Sequence, residues 1–305
     1  MKSLKQFFQE AKTDKWAIGH FNFSTADQLR AIVEAAAELK VPVMAATSEG
    51  EADFVGRDQA VALVRSYQKE GYDVFLNADH HKSWETTKAA IDAGYDSVLI
   101  DASKLPYEEN IALTKKVVDY AREVSKSSGR EIPVEVEMGY LKGSSEIQKK
   151  VEISRGDYTK PEEAKDFVAR TGVDRLAIVF GNIHGIVKEV IMVTAPTPEG
   201  VGAPTKALGE EHLDIETLKN IAITVPGMTL VLHGASGLKD EEIKTAIQNG
   251  ITNIHINTEL RVAYREALEE EIEKEPSQTT PYKFLNPSFE AVKNLVIEKA
   301  KLFKS

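Results

Sequence analysis

There is no cysteine among the 305 residues. That excludes disulfides, thiolate nucleophiles and cysteine-ligated zinc, and it fits a reducing compartment. No run of 18 apolar residues occurs, and the N-terminal MKSLKQFFQEAKTDK lacks an apolar h-region, so neither a transmembrane span nor a secretory signal is expected. Positive charge is also short: 38 Lys and Arg against 48 Asp and Glu leave a formal charge of −10. Such a field repels phosphate backbones and anionic membrane surfaces, so neither nucleic acid nor a membrane is expected as a partner. An anionic small substrate would need a local cationic centre, such as a metal. The expectation is a soluble, cytoplasmic protein. With 42% apolar and 28% charged residues the chain can bury a core, which excludes a disordered or fibrous polymer. Its length allows one large domain or two ordinary ones.

Short β-branched runs alternate with longer amphipathic stretches. Strand-like runs lie at 16–22, 42–47, 73–78, 97–101, 132–137, 175–181, 229–234 and 252–257. Between them Leu29, Ile32, Val33 and Ala36 recur at helical spacing after Thr25 and Gln28, which read as a capping box. Further helices are expected at 60–67, at 83–93 (stopped by Gly94), through Ile111 to Ala121, at 161–170, and from Asp214, Asp240 and Glu259. Eight such alternations without a compositional break predict an α/β protein, a single (β/α)8 barrel over 1–305 with its helices outside. A doubly wound open sheet is the alternative, but its G-x-G-x-x-G after the first strand is missing. Segments 139–157 and 189–211 are too long and polar for plain connectors. They read either as long active-site loops at the C-terminal face of the strands, the first of them mobile, or as plain surface loops.

The seven histidines are unevenly placed, five of them at or just past the C-terminal ends of the strand-like runs. In a parallel barrel those ends form the reactive face. His80, His184 and His233 would there present three imidazoles with a fourth position open, a donor set suited to catalytic zinc or a similar ion. Any one alone would read as a hydrogen-bonded structural residue. Their neighbours argue otherwise, since Gly181, Asn182, Gly185, Gly234, Ser236 and Gly237 let backbone and substrate approach and expose N–H groups suited to phosphate. Asp79 reads either as a cap for the helix near Ser83 or as a general base. Glu135 and Glu137 share one face of their strand, which is costly inside a barrel unless they are partnered. Glu137, nearer the mouth, is the candidate metal neighbour. Asp101 is placed to orient a metal-binding imidazole through its second nitrogen.

At these residues the chain resembles the class II, metal-dependent fructose-bisphosphate aldolases of the ketose-bisphosphate aldolase family. The ordered motifs are GHFN (19–22), SEG (48–50), ADHH (78–81), IDAS (100–103), VEVEMG (134–139), RTGVD (170–174), FGNIHG with Lys188, LHGASG (232–237) and NTEL (257–260). The resemblance implies His80, His184 and His233 as ligands of one zinc ion per subunit, Asp79 as base and acid at the reacting carbon, and Glu137 beside the metal. It implies Asn22 on the substrate's oxygens and Ser48 near the second carbonyl fragment. Gly185, Lys188, Gly234, Ser236, Asn257 and Thr258 would hold the phosphate of dihydroxyacetone phosphate. The implied activity is reversible cleavage of a phosphorylated ketose, fructose 1,6-bisphosphate first, to dihydroxyacetone phosphate and an aldehyde such as glyceraldehyde 3-phosphate. A homodimer or homotetramer is implied as well, and a monovalent cation stays open.

The chain departs from the family pattern at several points. His255 stands where asparagine is usual; an imidazole there can donate to an enediolate or compete for metal. Thr280-Pro281-Tyr282-Lys283 replaces an expected Asp-Pro-Arg, so the arginine for a distal phosphate is missing. His20 occupies the place of a small or amide residue, the Glu146 region lacks paired acids, and 189–211 is longer than usual. Tagatose 1,6-bisphosphate or another ketose 1-phosphate therefore stays open as substrate. A non-catalytic sugar-phosphate or metal-binding barrel, or a barrel metallohydrolase, are the readings from other classes.

Overall fold

The computed structural model describes residues 2–139, 141–192, 206–207 and 212–305. Its strands are β1 (Ile18–Asn22), β2 (Val43–Ser48), β3 (Val74–His81), β4 (Ser97–Ile100), β5 (Val134–Met138), β6 (Gly143–Gln148), β7 (Val151–Ile153), β8 (Arg175–Ile178), β9 (His184–Val187), β10 (Val190–Met192), β11 (Lys206–Ala207), β12 (Thr229–Leu232) and β13 (Ile251–Ile256). Eight of them close a barrel in the order β1-β13-β12-β8-β5-β4-β3-β2, all neighbours parallel. The barrel expected from the sequence is the fold observed.

The helices are α1 (Leu4–Asp14), α2 (Ala26–Leu39), α3 (Glu49–Val55), α4 (Arg57–Lys69), α5 (Trp84–Ala93), α6 (Tyr107–Ser128), α7 (Pro161–Thr171), α8 (Ile215–Thr224), α9 (Asp240–Gln248), α10 (Thr258–Lys274), α11 (Pro281–Phe284) and α12 (Asn286–Phe303). Barrel strands are covered on both faces, which is why they read as nearly continuous apolar runs. The main core lies between strands and helices, where Leu29, Ile32 and Val33 of α2 meet Phe21, Val43 and Phe303. A second cluster closes the N-terminal end: Leu4, Phe7, Phe8 and Ala11 of α1 pack on Trp16, Ile18, Met44 and Phe75.

Two local expectations need correcting. Thr25 caps α2 by accepting from the Gln28 N–H, but the Gln28 side chain accepts from Ser24 N–H, so the reciprocal half of the box is absent. The expected loop 139–157 carries β6 and β7. β6 pairs with β9 and β7 with β10, over a small cluster of Val151, Ile153, Ile183 and Val190. Of 189–211, the stretches 193–205 and 208–211 lie outside the described residues.

Candidate active site

β3 ends in a fault that builds the site. A regular strand would send Asp79 and His80 to opposite faces. Here the β3–β4 register shifts between Ala78 and His81, and His80 takes the left-handed region at φ 47°. Non-glycine residues adopt that region rarely, and such bulges re-aim side chains at barrel rims. Asp79 and His80 consequently both face the mouth.

His184 opens β9 and His233 follows β12. Ring centres lie 4.8 Å apart for His80 and His233, 5.0 Å for His80 and His184, and 6.4 Å for His184 and His233. Glu137 sits among them, its Oε2 3.3 Å from His233 Nδ1 and 3.6 Å from His80 Nδ1. Donor atoms of His80, Glu137 and His184 fall within 4.8 Å of one another. The outer nitrogens of two rings are held: His80 Nδ1 lies 2.9 Å from Asp101 Oδ2, and His233 Nε2 2.7 Å from Glu135 Oε1. Asp101 also accepts from the Ser103 hydroxyl at 2.7 Å.

Asp79 is buried and accepts from Asn22 Nδ2 at 2.9 Å through Oδ2, while the same amide nitrogen donates to Glu51 at 2.8 Å. Among the described residues its Oδ1 has no hydrogen-bond partner, and neither do the buried Glu137 Oε2 and His233 Nδ1. Donor atoms of His80, Glu137 and His184 within reach of one ion, with His233 Nδ1 3.3 Å from the same Glu137 carboxylate, make a nitrogen and carboxylate set that fits a divalent metal.

The charge balance is consistent with that. Burial opposes protonation of His80, yet Asp79 and Asp101 push it up to about 9. His233 is likewise opposed by burial, and its hydrogen bond to Glu135 with the nearby carboxylate charge of Glu137 pushes it up to about 10. His184, desolvated and beside His80, falls to about 4. Burial alone would raise Asp79, but the surrounding imidazoles hold it well below the usual carboxylate range.

A small inner cavity of about 30 Å³ is lined by Asn22, Asp79, all three histidines, Ser145, Gly185, Gly234, Ser236, His255, Asn257 and Thr258. An outer cavity of about 630 Å³ shares Asp79, His80 and His184 with it and extends past Ser48, Glu137 and Asp101 to Lys82, Lys104 and Arg261. The structure thus brings together every site residue named from the sequence except Lys188, which is exposed and lines neither cavity. Tyr282 is 77% exposed and outside both. Gly234, at φ +67°, leaves no room for a side chain, since a Cβ there would lie 2.1 Å from the Ile183 carbonyl oxygen.

Some participants were not named as site residues. Ser145 reaches the inner cavity on β6, a strand the sequence pattern did not reveal. His20 stacks on His255 at 3.4 Å between centres, and His255 stacks on His233 at 4.2 Å. Arg175 lies fully buried beneath them, paired with Glu135 at 2.7 Å.

A family model described as fructose-bisphosphate aldolase class-II matches residues 2–305. The chain belongs to that family. A fructose-bisphosphate aldolase of Geobacillus stearothermophilus is 35% identical over 308 residues, covering 99% of this chain and 96% of that protein. One from Staphylococcus aureus strain N315 is 33% identical over 305 residues, with coverage of 99% and 96%. Among solved structures, the YdjI aldolase from Escherichia coli K12 is 31% identical with a TM-score of 0.74, covering 99% of this chain and 96% of that one. Within this aldolase family, a family of lyases, the chain keeps a full-length barrel and no described helix is long and apolar enough to cross a membrane.

Proposed function

We propose that this chain is a zinc-dependent aldolase that reversibly cleaves a phosphorylated ketose, fructose 1,6-bisphosphate first, to dihydroxyacetone phosphate and an aldehyde such as glyceraldehyde 3-phosphate. The observation that carries the reading is the meeting of three imidazoles from β3, β9 and the end of β12 around Glu137, with the free oxygen of Asp79 on the same cavity. His80, His184 and His233 would hold the ion, with Glu137 beside it. When bound, the ion supplies Lewis-acid polarisation of the ketone carbonyl.

The remaining chemistry belongs to side chains and backbone. In cleavage Asp79 takes the proton of the C4 hydroxyl. The C4 oxygen becomes the aldehyde carbonyl, the C3–C4 bond breaks, and its electron pair is left on C3 beside the polarised ketone. Asp79 then returns the proton to C3, and condensation runs the same steps backward. Asn22, bonded to Asp79 and facing the cavity, keeps the carboxylate oriented and offers its Oδ1 to accept from substrate hydroxyls. His255, with Nδ1 3.5 Å from Asp79 Oδ1, is placed to steady charge on the same atoms. The phosphate would sit over Gly185, Gly234 and Ser236 against Asn257, Thr258 and the N-terminus of α10, where free N–H groups and the helix dipole favour an anion. Ser48 in the outer cavity would face the aldehyde half.

The test is cleavage of fructose 1,6-bisphosphate and tagatose 1,6-bisphosphate before and after chelation. Activity that disappears with the metal and returns with zinc supports the reading; full activity after chelation overturns it. Zinc binding without cleavage of either sugar would instead indicate a non-catalytic barrel. A second reading, a ketose 1-phosphate lacking a distal phosphate, rests on Tyr282 where an arginine was expected. Improved affinity of Tyr282→Arg for a bisphosphate over a monophosphate would support it. Assembly as a homodimer or homotetramer and a cytoplasmic location belong to the same proposal.

A further inference from the structure

Glu135 and Glu137 both point into the barrel from β5, and only Glu137 reaches the mouth cavities. Glu135 is fully buried one layer deeper. Its Oε1 lies 2.7 Å from His233 Nε2, and its Oε2 forms an ion pair with Arg175 Nη1 at 2.7 Å. Arg175 is 1% exposed and starts β8 from the N-terminal end of the barrel. Its guanidinium donates to Asn253 Oδ1 at 2.8 Å, to Asn77 Oδ1 at 2.9 Å and to the Ser97 hydroxyl, and it lies over the Phe8 ring of α1. Contacts from β3, β4, β13 and α1 therefore fix the guanidinium, the guanidinium fixes a carboxylate, and the carboxylate holds one nitrogen of an imidazole.

We infer that Arg175 is a positioning residue for the ion-binding ring of His233, acting through Glu135. This rests on the metal-site reading above and goes beyond it. An imidazole held at Nε2 presents Nδ1 as its other donor atom, and that Nδ1 is buried, without a hydrogen-bond partner among the described residues, and beside Glu137. A buried carboxylate with no cation is costly and would shift toward any donor it could find. Because Arg175 meets the charge of Glu135, the bond from Glu135 to His233 only has to orient the ring. A guanidinium suits the task because its fork engages several acceptors at once while remaining charged.

The experiment measures zinc and cobalt affinity of the full chain by competition with a chromophoric chelator, together with the cobalt absorption spectrum and the melting of the metal-free protein. Arg175→Met is expected to bind metal about 10- to 100-fold more weakly, the range typical for loss of a partner behind a ligand, with an altered cobalt spectrum. Arg175→Lys is expected to recover part of both. Glu135→Gln should weaken binding similarly, and the double variant should lose no more than the worse single variant, as expected of residues acting in series. A folded Arg175→Met with wild-type affinity and spectrum overturns the inference. Should that variant not fold, wild-type affinity in Glu135→Gln overturns it equally, as do additive losses in the double variant. Absence of metal binding by the unaltered chain would instead reject the metal-site reading itself.

Discussion

Asp79 has one oxygen committed to Asn22 and the other free. Replacing it with alanine removes the proton carrier without touching the three rings. Asp79→Ala should retain metal and lose cleavage by about 10²- to 10⁴-fold, read as kcat on a metal-loaded sample. His184→Ala is its counterpart, losing metal and activity together. The raised imidazoles make a second prediction. Metal must displace protons held on His80 up to about 9 and on His233 up to about 10, so apparent affinity should climb from neutral pH toward that range. Titration calorimetry in buffers of different ionisation enthalpy should detect the released protons; pH-independent affinity would contradict the charge balance. At this scale the sequence was informative about residues that announce themselves by neighbours, such as His184 between glycines. It was silent on Arg175, because nothing in RLAIVFG distinguishes a cation turned into the barrel from one turned to solvent. The rule that two acids on one inward face need partners did flag Glu135, but the partner comes from another strand and has no spacing to reveal it.

Among the elements, β3 shows where pattern reading stops. Its apolar stretch and the histidine at its end were legible, while the register shift that turns consecutive side chains to one side is a backbone event without a residue signature. α3 and the strands β6 and β7 were missed for a different reason. α3 is seven residues long, and Gly143–Gln148 is largely exposed and polar, so neither carries a periodic apolar face. Gly234 tests how tightly the end of β12 is packed against β9. Gly234→Ala forces a left-handed residue to carry a Cβ, a cost of about 1–2 kcal/mol before any collision, and the Ile183 carbonyl must then move as well. The expected outcome is a clear drop in denaturation midpoint with weakened metal binding, since His233 is the preceding residue. A variant as stable as wild type would mean the loop relaxes freely.

For the molecule as a whole, the sequence-level reading was most secure, because eight alternations of the same unit leave few ways to close a sheet. The metal should act at this scale too. An ion that binds only the folded chain adds about 4 kcal/mol at a thousandfold excess over its Kd, so zinc should raise the melting temperature and a chelator should lower it. The metal-free protein should lose stability as pH rises. His80 and His233 are raised above an ordinary value near 6.5, so their contribution is complete below that pH and fades as pH climbs through about 9 to 10. Melting curves across that window, with and without zinc, would check both. Finally, β1 closes against β13, and Asn253 Nδ2 donates to the Ile18 carbonyl oxygen across 235 positions of chain. During synthesis the first strand must wait, one edge unpaired, until residues 251–256 have left the ribosome. Nascent or truncated chains ending before residue 251 therefore carry an open sheet edge, and they are the species on which chaperones and aggregation compete.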